Sequence, residues 1–183
     1  AWVRPLALPA GLLILQHPLE VANAKNSARL LHLCVSGSRL AVGEAFEAAT
    51  LDALLHADGR TPVLVYPETP GVSAAAADSL PPPEQLLIVV LDATWRKSRK
   101  MLHLNPALQR LPRLALTDMP ASGYRIRKAH APDQLSSLEA AAHALGQVGG
   151  DMAAVTPLFD AFDGFVQQQA AFVPADAPRT REA

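Results

Sequence analysis

Hydrophobic positions along the chain change their spacing several times, and each change marks an element. Leu12–Gln16 reads as a short buried strand closed by the His17-Pro18 step. Asn26-Ser27 can cap a helix through Ala28–Val35. Arg39–Val42 reads as a strand after Gly37, and Phe46–His56 as a helix with Leu51, Leu54 and Leu55 on its apolar side. Pro62–Tyr66 is a Val- and Leu-rich strand stopped at Pro67. Gly71–Leu80 is predicted as a helix, broken by Pro81, Pro82 and Pro83. Leu86–Leu91 is apolar without alternation, the pattern of a strand buried on both faces. A helix follows from Thr94 or Trp95 to about Leu104, with Thr94 as its cap. Arg113–Thr117 is a further strand, Leu135–Val148 a helix, and Val155–Phe172 a last helix with Phe159, Phe162 and Phe165 on one side.

Strands alternating with helices predict an α/β fold, a mostly parallel sheet covered by helices on both faces. No repeat or linker splits the chain, so residues 1–173 read as one domain with a loose polar tail over 174–183. Ligands in such folds bind beyond the carboxyl ends of strands, which singles out Tyr66-Pro67, Asp92–Trp95 and the loop after Thr117.

Composition narrows the classes. Half of the 183 residues are hydrophobic and 5% aromatic, enough for an aliphatic core. The single cysteine, Cys34, excludes an internal disulfide and a multi-cysteine metal site in these residues, and reads as a small buried hydrophobe. Leu6–Leu15 is apolar behind Arg4, but Pro5 and Pro9 interrupt it, so a buried first strand is favoured over a signal peptide. No apolar run reaches the roughly 18 residues of a membrane span. A cytoplasmic protein without a membrane is the expectation; the oligomeric state is open, with a monomer as the default.

Charge changes the picture more. The net charge is −1, yet nine basic residues and one acid, Asp118, fall between Arg96 and Lys128, giving +8 there against −9 elsewhere. A solvated helix face usually intersperses acids with bases, and here they are missing. A polyanionic partner, nucleic acid, is the expectation. Asp92 places a carboxylate at the mouth where the basic run Arg96–Lys100 begins. By itself it could be only a turn or cap residue, and Trp95 ordinary packing between helix and sheet.

Asp92-Ala93-Thr94-Trp95 resembles the D-x-T-W signature of the DTW-domain family, the tRNA-uridine aminocarboxypropyltransferases. Four further elements agree in order: Gln16–Glu20 (QHPLE), Asn26–Leu31 (NSARLL), Tyr124–Ala129 (YRIRKA) and Leu135–Ala140 (LSSLEA). Family members usually carry an N-terminal cysteine cluster with the look of a zinc site. This sequence holds none of it, and since it starts at Ala1 rather than Met, a longer natural chain is the expectation.

The resemblance implies transfer of the 3-amino-3-carboxypropyl group from S-adenosylmethionine to N3 of a tRNA uridine, releasing methylthioadenosine. It also implies kinship with SPOUT methyltransferases and a C-terminal trefoil knot, which the usual rule against threading would miss. Asp92 is the candidate base for the N3 proton. Candidate cofactor-binding residues are Tyr66, Pro67, Leu91, Ala93, Thr94, Trp95, Tyr124, Arg125, Ser136, Ser137 and Glu139. Arg125 or the helix start at Ser136-Ser137 could meet the carboxylate of the methionine moiety. Glu139 competes with its own role in a capping box. Candidate RNA-binding residues are His17, Lys25, Arg29, Arg96, Lys97, Arg99, Lys100, Arg127 and Lys128, and no metal is expected. A SPOUT-type RNA methyltransferase and a non-catalytic RNA-binding module stand as alternatives.

Overall fold

The computed structural model describes residues 3–23, 26–68, 74–116 and 135–171. In chain order the elements are β1 (Gly11–Gln16), α1 (Ser27–Cys34), β2 (Arg39–Val42), α2 (Ala48–His56), β3 (Thr61–Val65), β4 (Ala74–Ala75) and β5 (Leu86–Asp92). They continue with α3 (Trp95–Leu104), α4 (Pro106–Gln109), β6 (Arg113–Leu114), α5 (Ser137–Gly149) and α6 (Thr156–Ala171). Single 3₁₀ turns, such as Pro18–Glu20, fill several connections.

All six strands are parallel, in the order β2-β1-β5-β3-β6-β4. The alternation of β1 and β5 divides the core. Leu12, Ile14, Leu86, Ile88 and Val90 pack under α1, α5 and α6 on one face. Leu13, Leu15, Leu87 and Val89 pack under α2, α3 and α4 on the other. Continuous apolarity in β5 thus reflects burial on both sides. Cys34 is buried in the first of these layers, and burial pushes its thiol up, which disfavours the reactive thiolate.

Two expectations need correction. The helix predicted over Gly71–Leu80 is replaced, within its described part, by β4 and a 3₁₀ turn at Ala77–Ser79. Parallel pairing with β6 satisfies this backbone, including Ala115 N–H to Ala75 O at 3.1 Å, and so overrides the helix preference of alanine. Thr94 stands at the N-cap of α3, but its side chain makes no capping hydrogen bond. β6 ends at Leu114, so the predicted Arg113–Thr117 strand is shorter than expected; Thr117, Phe172 of the final helix, the loop after Thr117 and the tail 174–183 lie outside the described residues.

The topology has a switch point between β1 and β5. α1 leaves the end of β1 toward one face, and α3 leaves the end of neighbouring β5 toward the other. Connections that depart in opposite directions part the chain above the sheet, the usual seat of a ligand in a parallel α/β fold. Gln16 and Asp92 are register partners at that point.

Candidate active site

Asp92 is the last residue of β5 and is 5% exposed. Both of its carboxylate oxygens accept hydrogen bonds. The Gln16 side-chain amide donates to Oδ2 at 2.8 Å, and the Ser137 hydroxyl donates to Oδ1 at 2.6 Å. The His17 backbone N–H donates to the Asp92 carbonyl at 2.9 Å. Three segments remote in sequence therefore fix one carboxylate. Ser137 is the first residue of α5, whose dipole places its positive end beside the acid. Capping of α5 falls to its neighbours: the Ser136 hydroxyl accepts the Glu139 N–H at 3.2 Å, and Glu139 accepts the Ser136 N–H at 2.8 Å. Glu139 is thus the capping-box residue that competed with its role as a ligand contact.

Around Asp92 the loops are clamped by ion pairs. His17 is buried, and its Nδ1 accepts the Leu19 N–H at 3.1 Å. In the neutral ring that leaves the proton on Nε2, which donates to Glu44 Oε1 at 2.9 Å. Lys100 Nζ reaches the other Glu44 oxygen at 2.8 Å. Hydrogen bonds from Lys100 and then His17 hold the Glu44 carboxyl below its ordinary value. Lys97 Nζ pairs with buried Glu20 at 3.0 Å. Asn105, also buried, donates to the Glu44 and Met101 carbonyls at 2.9 and 2.6 Å, and accepts the Phe46 N–H at 2.9 Å.

The acids missing from the sequence around α3 are thus supplied by the loops after β1 and β2. Lys97 and Lys100 are tied down by them, whereas Arg96 and Arg99 are exposed with no acid partner among the described residues. Arg29 lies on the exposed side of α1. Both ring nitrogens of His17 are engaged inside the protein, so the imidazole holds a loop rather than presenting itself to RNA.

Trp95 is less buried than ordinary packing between helix and sheet would make it. It is 44% exposed at the start of α3, with its ring edge-on to Tyr66 at 5.8 Å. The Tyr66 ring is buried and also lies under the Arg113 guanidinium, 5.0 Å from the centroid, while Arg113 Nη1 donates to the Pro67 carbonyl at 3.1 Å. Arg113, one of the nine basic residues, therefore supports the mouth from within rather than facing a polyanion. Leu91, Ala93 and Thr94 flank Asp92 at the same mouth. Lys25, Tyr124, Arg125, Arg127 and Lys128 lie outside the described residues.

Sequence reasoning missed Gln16, Glu44 and Asn105 as site residues. Gln16 carried a signal, since it ends a predicted strand just as Asp92 does. Glu44 and Asn105 carried none, because the partners that tie them to the site loops, His17 and Glu44, lie 27 and 61 residues away. No group of three or more metal-ligating side chains occurs among the described residues, and no helix there is long and apolar enough to cross a membrane.

A carboxylate fixed at the carboxyl end of a parallel sheet, where its connections part, makes this an α/β protein whose candidate site lies at that point. The DTW domain model matches residues 1–170, and the chain belongs to the DTW-domain family. Two relatives are named tRNA-uridine aminocarboxypropyltransferase 2. The one from Drosophila melanogaster is 31% identical over 147 residues, 77% of this chain and 57% of the relative. The one from Mus musculus is 33% identical over 150 residues, 78% of this chain and 49% of the relative. The chain spans about half the length of these curated relatives. No solved structure matches it.

Proposed function

We propose that this protein transfers the 3-amino-3-carboxypropyl group of S-adenosylmethionine to N3 of a uridine in tRNA, with methylthioadenosine as the second product. The observation that carries the reading is the convergence of Gln16, Asp92 and Ser137 at the parting of β1 and β5, in a chain whose relatives bear that name.

The residues present suit the donor. Its sulfonium supplies an activated carbon, so what remains for the protein is orientation and removal of one proton. Asp92 is a fixed acceptor for the uridine N3 proton, since both oxygens are anchored while each keeps lone-pair capacity. Thr94 and Ser137 offer hydroxyls at the mouth, Trp95 offers an exposed aromatic surface, and the start of α5 suits a carboxylate. Tyr66, Pro67, Leu91 and Ala93 complete the wall in this reading, with Tyr124 and Arg125 on the segment before α5. Arg96 and Arg99 face the RNA backbone, joined by Arg29, Lys25, Arg127 and Lys128. A SPOUT-like C-terminal knot is part of the same proposal, supported by the all-parallel sheet and by the return of α5 to the end of β5.

The test is incubation of the chain with tRNA and labelled S-adenosylmethionine, followed by mass spectrometry of the nucleosides. An aminocarboxypropyl-uridine together with methylthioadenosine is expected. A methylated nucleoside with S-adenosylhomocysteine would replace the proposal by a methyltransferase. RNA binding with neither product would leave a binding module.

A further inference from the structure

We propose that Ser137 carries the proton between the substrate and Asp92, a role that rests on the transfer reaction proposed above. Asp92 is buried, and so is Gln16, which anchors Oδ2. Ser137 is only partly buried, and its hydroxyl donates to Oδ1 at 2.6 Å, the short separation of a charge-assisted O–H···O⁻ bond. The serine is the partly exposed end of a buried chain, Ser137–Asp92–Gln16.

A serine at a helix start usually has a capping task, and here that task is taken. Ser136 and Glu139 close the capping box between them, and Ser137 sits one residue further in. Its hydroxyl bond among the described residues goes to Asp92 instead. Gln16 has the complementary duty. Its amide donates to Oδ2, which turns Oδ1 toward the serine and keeps the carboxylate from rotating.

The step balances. The proton on uridine N3 passes to Ser137 Oγ as the serine's own proton passes to Asp92 Oδ1. The N3 electron pair forms the bond to the carbon of the aminocarboxypropyl group. The carbon–sulfur bond breaks with its electrons kept by sulfur, so neutral methylthioadenosine leaves. Asp92 ends protonated and Ser137 ends as it began.

The relay is tested by single-turnover kinetics at saturating tRNA and S-adenosylmethionine. Ser137→Ala and Asp92→Asn should each slow the step by about 10²–10⁴-fold with KM for both substrates unchanged, the range for a lost proton-transfer group. Ser137→Thr, which keeps the hydroxyl, should remain within about tenfold of the parent, and the Asp92→Asn/Ser137→Ala pair should be no slower than either alone. Because Ser136 keeps the cap, Ser137→Ala should still fold cooperatively, with a melting temperature lowered only by the loss of its one hydrogen bond to Asp92. In mixtures of light and heavy water, two protons in flight should bow the rate of the parent below a straight line, while Ser137→Ala should give a straight line. A straight line for the parent, or a fully active Ser137→Ala, overturns the relay and leaves the transfer reaction standing. A parent chain that releases no methylthioadenosine overturns the transfer and the relay together.

Discussion

Replacing Arg96 and Arg99 by Ala, and separately Lys97 by Ala, should separate two roles that the sequence of α3 runs together. The structure leaves both arginines exposed with no acid partner among the described residues, while Lys97 pairs with Glu20 at 3.0 Å. The Lys97 side chain is 28% exposed and that of Glu20 only 6%. If each arginine meets one phosphate, the paired Arg variant should flatten the plot of log affinity against log salt by about 1.4–1.8, from roughly 0.7–0.9 per phosphate. Its melting temperature should hold, since exposed side chains without partners contribute little. Lys97→Ala should leave that slope near the parent value, because its charge is already neutralised. It removes a cation that offsets burial of Glu20, at a cost of about 1–3 kcal/mol, so the melting temperature should fall. Lys100 belongs between these cases, with 59% of its side chain exposed although it pairs with Glu44. Fluorescence anisotropy of labelled tRNA across a salt series reads the first quantity, and thermal melting the second. A Lys97→Ala variant that flattens the slope as much as the Arg pair would refute the division.

Two further outcomes follow from buried polar groups. Asn105→Ala removes three hydrogen bonds, two to the 44–46 loop and one to the Met101 carbonyl of α3, and should lower stability by about 3 kcal/mol in urea denaturation. A loss below about 0.5 kcal/mol would mean that the loop is held by other means. Burial pulls the His143 imidazole down from its ordinary 6.5, against the opposing charge of Glu139, so the unfolded chain takes up that proton first as pH falls. Stability from this group is complete above pH 6.5 and is lost as pH falls through the depressed folded value. His143→Phe should therefore show a shallower decline in melting temperature than the parent as pH falls below 6.5, and an equal decline would refute the assignment.

The local pattern of the sequence determined most of the elements. Apolar runs set β1, β3 and β5, and the side-chain chemistry of Asn26 and Ser136 set the starts of α1 and α5, because these signals are contained within a few residues. Strand-end position marked Asp92 for the same reason. The Ala-rich stretch before Pro81 was misread because a strand edge 40 residues away completes its backbone hydrogen bonds. How far Trp95 is exposed was not legible locally, because it depends on how Tyr66 and Arg113 stack beside it.

What a side chain can do at the site was decided by pairs that no local window contains. Gln16 meets Asp92 across 76 residues, Ser137 meets it across 45, and Glu20 meets Lys97 across 77. Amino-acid type determined that carboxylates, hydroxyls and cations were available. Only the tertiary structure decided which carboxylates neutralise lysines and which one stands alone beneath a serine. The physical reason is that hydrogen bonds and ion pairs act over about 3 Å, and the parallel sheet brings these chain segments within that reach.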